Sequence, residues 1–231
     1  MTKKLSLTLA LFMALALLPS LHAQTINPVF YVITDEGEEE QTSYDGSAPL
    51  RVRFEAKPEG LEGLKVNYEW RFFKEGEQTA YLIRYEENTE FVFNDAGGHR
   101  IICIATYDDG MGGVELSNED SPLTLTIAES QLDFPNAFSP NGDGINDTYK
   151  PKAGAKSIVE FNAAIFNRWG QMLFKFRDIN DAWDGTYKGR PVKDGAYFLN
   201  CEAKGADGKI FRIRKDVNIL RGYTEKEGIE P

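Results

Sequence analysis

The stretch Phe134-Pro135-Asn136-Ala137-Phe138-Ser139-Pro140-Asn141-Gly142-Asp143-Gly144-Ile145-Asn146-Asp147 divides the chain. Its first half is aromatic and extended. Its second half crowds Asn, Gly and Asp together so closely that only a tight loop with several positive-φ positions accommodates it. On the N-terminal side, apolar residues recur with period two: Leu50, Val52 and Phe54; Val66, Tyr68 and Trp70; Phe91 and Phe93; Ile101, Cys103, Ala105 and Tyr107; Leu123, Leu125 and Ile127. Turn clusters at Pro58-Glu59-Gly60, Glu75-Gly76, Asp95-Ala96-Gly97-Gly98 and Asp108-Asp109-Gly110 separate them. On the C-terminal side the same period runs through Val159, Phe161, Ala163 and Ile165, returns over 172–176 after a turn at Asn167–Gln171, and continues through Tyr197, Leu199 and Cys201. A two-residue Asp207-Gly208 hairpin signal then leads to Phe211, Ile213, Val217 and Ile219. Short strands with no helical stretch between them predict an all-β chain of β-sandwich domains in tandem.

Charge marks the same division. The chain carries a formal net charge of -10, but residues 24–130 are net -14 and residues 131–231 net +2. The expected units are therefore 24–130 and 131–221, joined by a short polar linker over 128–131 that leaves them little freedom. An acidic first half argues against a nucleic-acid partner, because phosphate binding needs the opposite sign. Thr34–Gly46 reads as an acidic, solvated loop; consecutive glutamates lack the fixed geometry of a calcium site.

The chain begins with Lys3 and Lys4, an apolar run over 5–18 and Pro19 to Ala23. That is the layout of a secretory signal peptide over 1–23, cut after Ala23. The run is shorter than the roughly 20 residues of a spanning helix, and no other segment is apolar enough to span a membrane. Export permits a disulfide, yet Cys103 and Cys201 both sit within apolar strands and read as buried free thiols.

Catalytic groups are few. His99 is the one histidine after the expected cut and reads as a surface residue at a strand start beside Gly97-Gly98. No nucleophile elbow, phosphate loop, His-x-x-x-His or Cys-x-x-Cys is present. In the Asn/Gly/Asp loop, Asn141, Asp143, the Ile145 carbonyl and Asp147 follow the even offsets of an oxygen-lined calcium loop, without the sixth-position glycine or the distal glutamate of an EF-hand. The competing reading is a compact turn cluster held by its own side chains. Lys209, Arg212, Arg214, Lys215 and Arg221 gather around the last strand, either as protection of a sheet edge or as a face read by a partner.

Ser47-Ala48-Pro49-Leu50-Arg51-Val52-Arg53-Phe54, Tyr68-Glu69-Trp70 and Asp95-Ala96-Gly97-Gly98-His99-Arg100-Ile101 together resemble the PKD family of immunoglobulin-like domains over about residues 47–127. The opening stretch, with Ile165-Phe166-Asn167-Arg168-Trp169-Gly170, Trp183-Asp184-Gly185-Thr186 and Asp194-Gly195-Ala196-Tyr197-Phe198, resembles the gliding-motility-associated C-terminal domain, the type B sorting domain of the type IX secretion system of Bacteroidota. A polar tail over 222–231 extends past the strand end at which members of that family commonly stop.

The resemblances imply two immunoglobulin-like β-sandwich domains in tandem and a chain exported through the periplasm to the cell surface or the medium. The outer-membrane translocon and an associated outer-membrane β-barrel are the implied partners, with Lys209, Arg212, Arg214 and Lys215 as candidate contacts. The expected role is non-enzymatic, as an accessory or regulatory component of the secretion system. An adhesin-like module binding a surface glycan or protein, and a small hydrolase with an acidic site, are the alternatives.

Overall fold

The computed structural model describes residues 23–222. The signal peptide expected over 1–23 and the tail over 222–231 lie, but for their inner end residues, outside the described residues. No helix occurs among the described residues, so none is long and apolar enough to cross a membrane.

The first sandwich closes two sheets over one core. One has the order Gly37–Gln41, Val29–Thr34, Leu50–Glu55, Asn88–Phe93, all antiparallel. The other runs Ser43–Gly46, Leu123–Ile127, Gly97–Asp108, Asn67–Lys74, Leu82–Arg84, with Gly113–Ser117 also paired to Gly97–Asp108. Its first pair, Ser43–Gly46 with Leu123–Ile127, is parallel. The alternating residues face inward as their period predicts. Val52, Phe54, Trp70, Phe72, Phe93, Ile101 and Cys103 are fully buried between the sheets. Trp70 donates its Nε1–H to the Glu86 carbonyl at 3.0 Å, so the indole enters the core without an orphaned donor.

The second sandwich is built on one five-stranded sheet, ordered Ala137–Phe138, Ile210–Ile219, Gly195–Gly205, Ile158–Phe166, Met172–Phe176. Its other layer is thin: a bridge between Tyr149 and Trp183, and the short hairpin Thr186–Tyr187 with Arg190–Pro191. Large rings compensate for missing strands. Phe134 stacks on Tyr149 at 5.8 Å, Phe138 lies 5.7 Å from Tyr149 and 5.5 Å from Trp183, and Trp183 meets Tyr197 at 5.5 Å. The aromatic half of the opening stretch is thus the lid of the second core.

Both cysteines are free and buried, one in each core. Burial pushes the Cys103 thiol up to about 12 and the Cys201 thiol up to about 11, so neither is a ready nucleophile.

Three sequence expectations are corrected. The acidic segment is not a loop: Gly37–Gln41 and Ser43–Gly46 are edge strands of opposite sheets. The cations that stabilise the glutamates come from neighbouring chain, with Glu38 paired to Arg53 and Glu40 to Lys57 and the Tyr31 hydroxyl. Asp207-Gly208 does not form a two-residue hairpin. The loop is Ala206-Asp207-Gly208, closed by Gly205 N–H to the Lys209 carbonyl at 2.8 Å and Gly208 N–H to the Gly205 carbonyl at 2.9 Å. Gly208 at φ 80° supplies the left-handed residue that ends a three-residue hairpin. The 128–131 segment itself is tied down. Gln131 bridges Lys156, and Ser130 is buried, donating to Asp207 Oδ1 at 2.6 Å.

His99, finally, is buried, not on the surface. Tyr81 and Phe93 set their rings edge-on to it at 5.7 and 4.8 Å. The Tyr81 hydroxyl lies 2.9 Å from Nδ1, and Nε2 lies 3.2 Å from the Asp95 carbonyl, which fits a neutral ring donating from Nε2. Burial lowers its pKa, assisted by the Lys74 ammonium and opposed by the Asp95 carbonyl. A folded-state pKa below the unfolded value means the unfolded chain binds the proton more readily. Stability from this residue is therefore complete above about pH 6.5 and declines as the pH falls below it. The melting temperature is expected to drop between about pH 7 and 5, and a His99→Phe chain to lose most of that slope; an unchanged slope would show that the dependence arises elsewhere.

The two sandwiches meet through small residues. Ala206, in the hairpin loop of the second, is buried within the core cluster of the first. Its carbonyl accepts from Ala96 N–H at 3.0 Å and its N–H donates to the Ser157 carbonyl at 2.9 Å. Ser157, at φ 51° and 1 % exposed, places its Oγ 3.3 Å from the Ala48 N–H that donates to it. A non-glycine residue held at positive φ in a buried contact is a strained position maintained by its surroundings.

Candidate functional site

The four motifs of the second sandwich, distant in sequence, converge on one pole. Strand register brings them there: Phe166 pairs with both Met172 and Phe198, Gly195 with Ile219, and Ile219 with Phe138. The loops that follow, over 139–147, 167–171, 185–194 and 220–222, therefore share one end of the sheet. Ala206 and Ser157 lie at the other end, where Ile158 pairs with Gly205.

Gly185 is the hub. A Cβ there would approach the Pro140 side chain at 3.0 Å, Arg221 at 3.2 Å and Phe138 at 3.4 Å, and its φ of 75° already favours glycine. Asp184 Oδ1 accepts from both the Thr186 N–H and hydroxyl, at 2.9 and 2.8 Å, which fixes the turn. The Trp183 indole donates to the Thr186 carbonyl at 2.8 Å. Arg221 straps the pole: its guanidinium donates to the Val192 carbonyl at 2.7 Å and the Gly185 carbonyl at 3.3 Å, and pairs with Asp194. Trp-Asp-Gly thus joins the opening stretch to Asp194-Gly195-Ala196-Tyr197, and Arg221 closes the ring.

The Asn/Gly/Asp loop is bonded mostly to itself. Asp147 Oδ1 accepts from the N–H groups of Asn141 and Gly142 at 3.0 and 2.7 Å, and Oδ2 from Gly144 at 2.8 Å. These amides, Gly142 foremost, hold its carboxyl below the ordinary aspartate pKa. Asp143 Oδ1 accepts from Ile145 N–H at 2.8 Å, and the Ile145 carbonyl from the Ser139 hydroxyl at 3.4 Å. Gly142, Gly144 and Asn146 take positive φ, as the composition of the loop predicts. Among the described residues no three His, Cys, Asp or Glu side chains gather where they could hold a metal.

The basic set divides. Arg212 and Arg214 are exposed on the outward face of Ile210–Ile219, and neither joins an ion pair among the described residues. Lys215 points the other way, donating to Asp133 at 3.1 Å and to the Phe134 carbonyl. Lys152, the Phe134 N–H and Lys215 together hold the Asp133 carboxyl well below its ordinary range. Lys209 lies in the hairpin at the opposite pole, over the Phe211 ring at 4.8 Å. Among the described residues only Ala137–Phe138 pairs with the free side of this strand, at Asn218 and Ile219. Residues 210–217 therefore form a sheet edge, and the exposed arginines are placed where they discourage strand addition.

Sequence reasoning passed over the tip of the 167–171 hairpin. Trp169 is 78 % exposed, with the Arg168 guanidinium 5.0 Å from its ring centre. Beside it, Lys188 lies 5.3 Å from the ring centre of Tyr187.

Residues 132–212 match the family described as the CHU_C type IX secretion signal domain. No curated protein matches the chain. Among solved structures, it is similar to the three N-terminal domains of the highly immunogenic outer capsid protein of bacteriophage RB49, at 14 % identity and TM-score 0.39, covering 85 % of this chain and 59 % of that one. It is also similar to the fibronectin(III)-like modules of Clostridium thermocellum CbhA, at 13 % identity and TM-score 0.22, covering 77 % of this chain and 87 % of the other. At these scores neither structure bears on what this chain does.

Proposed function

We propose, from a second sandwich that is a type IX secretion signal domain, that the chain is a non-enzymatic protein delivered by that system through the periplasm to the cell surface or the medium. There it acts by protein contacts as an accessory or regulatory component of the system. The observation that carries the reading is the family match over residues 132–212. The convergence of the four motifs on one exposed pole supports it, since a label must be accessible to be read. On this reading the outer-membrane translocon and its associated β-barrel are the partners, and Arg212 and Arg214 are available for contact.

A contact role for the first sandwich suits its chemistry. Its histidine is buried beneath Tyr81, and its thiol is fully buried in the core with a raised pKa. Two of its glutamates, Glu38 and Glu40 on an edge strand, are paired with Arg53 and Lys57.

The test is export in paired strains. The full chain is expected to reach the surface or medium of a bacterium with an intact type IX system, and to accumulate inside a strain lacking its translocon. Equal export from both would end the reading. Deleting the gene is expected to reduce secretion of other cargoes; loss of attachment alone would favour an adhesin.

A further inference from the structure

We infer that the Arg168–Trp169 tip is the anchor by which the signal domain enters an apolar, acid-rimmed pocket on a protein of the secretion machinery. The inference rests on the export reading above and names the surface through which that reading operates.

Nothing in the fold calls for an indole at position 169. The turn is set by its neighbours: Gly170 at φ 79° ends a three-residue loop, and Asn167 N–H donates to the Gln171 carbonyl at 3.0 Å. Asn167 Oδ1 accepts from both Trp169 and Gln171 N–H at 3.0 Å, and its Nδ2 donates to Gln171 Oε1 at 3.0 Å. The Trp169 side chain is 78 % exposed, although it is the largest apolar side chain available to a sequence. Such exposure marks a contact surface when it is held in place.

It is held in place. Besides the Asn167 bonds, Gln171 Nε2 donates to the Tyr187 hydroxyl at 3.1 Å, tying the tip to the adjacent hairpin. A tip ordered before contact loses little conformational freedom on contact. Trp, Arg and Tyr are also the residue types that dominate binding energy at protein interfaces.

Charge selects the partner. Arg168 stands on the tip, and Lys188, Arg190 and Lys193 belong to the segment that Gln171 ties to it through Tyr187; none of them joins an ion pair among the described residues. Their complement is an acidic rim. An anionic lipid surface would also attract Trp and cations. One feature favours a pocket: the exposed Asp143 and the Asp184 turn at the same pole would be pressed against anionic headgroups. The tip also lies at the end of the sheet away from Ala206, where the first sandwich does not reach it.

The test uses the full chain in a bacterium with an intact type IX system, as wild type, Trp169→Ala, Trp169→Phe and the double variant Arg168→Glu/Lys188→Glu. Melting temperatures of the purified chains control for folding. Trp169→Ala and the charge reversal are expected to lower the exported fraction about tenfold or more with the melting temperature unchanged, and Trp169→Phe to restore most of it. Normal export of Trp169→Ala or of the charge reversal overturns the inference. So does binding to vesicles of phosphatidylglycerol and phosphatidylcholine that Trp169→Ala abolishes while export continues. Wild-type export from a strain lacking the system would instead overturn the reading on which the inference rests.

Discussion

Replacing Trp183 by alanine is expected to unfold the second sandwich. The side chain is fully buried and lies at the junction of Phe138 and Tyr197, each 5.5 Å away. Its backbone exchanges both hydrogen bonds with Tyr149, at 2.8 and 2.9 Å, and these are the main strand-like pairing of the thin layer. Truncation removes the rings' common neighbour and leaves a cavity that a layer with so little backbone pairing fills poorly. Aromatic-to-alanine changes in cores cost about 3–5 kcal/mol, against a total of about 5–15 kcal/mol for a domain. Urea unfolding of the full chain should show the second sandwich lost at much lower denaturant, and export should fail with it. Trp183→Phe keeps most of the packing and loses the bond to the Thr186 carbonyl, so its penalty should be smaller. A Trp183→Ala chain within about 1 kcal/mol of wild type would mean that the sheet does not depend on its aromatic cover.

An Ala206→Asp change is expected to break the communication between the two sandwiches. Ala206 is buried in the first core cluster and joined to Ala96 and Ser157 by backbone bonds. A carboxylate there would be drawn into an apolar core cluster, at a cost of about 3 kcal/mol or more if the contact stayed closed. The contact should open instead. Wild type is then expected to melt in a single calorimetric transition and Ala206→Asp in two, with new cleavage by protease at 128–131, while Ala206→Gly should keep one transition. Persistence of a single transition at the wild-type temperature in Ala206→Asp would show that the loop contributes nothing to the coupling.

What the sequence disclosed depended on whether a residue's neighbours were local. Period-two alternation located the strands and their inner faces because that signal lies within a few consecutive residues. Gly37–Gln41 escaped because its glutamates show no apolar period, and the cations that make it a strand edge, Arg53 and Lys57, belong to the following chain. His99 was misplaced because its cover, Tyr81 and Phe93, comes from other strands. Asp207-Gly208 was read as a turn with the wrong length, since the closing pair Gly205 and Lys209 is visible only in three dimensions.

At the site, the order of the motifs was legible and their meeting was not. Gly185 shows its purpose only beside Pro140 and Arg221. The basic residues near the last strand appeared as one cluster because they are close in sequence. Strand alternation sends Arg212 and Arg214 outward and Lys215 inward toward Asp133. Trp169 is legible as part of a turn, but its exposure is not, because that depends on which other loops share its end of the sheet.

The opposed ends of the second sandwich also bear on how such chains diversify. The end that receives the first sandwich does so through Ser157 and Ala206, whose side chains are small and ask little of a neighbour's shape. Among the described residues, the end that carries the loops makes its own bonds and borrows none from the first sandwich. An exchange of the first sandwich by gene fusion therefore has to preserve that small seat and leaves the loop end untouched.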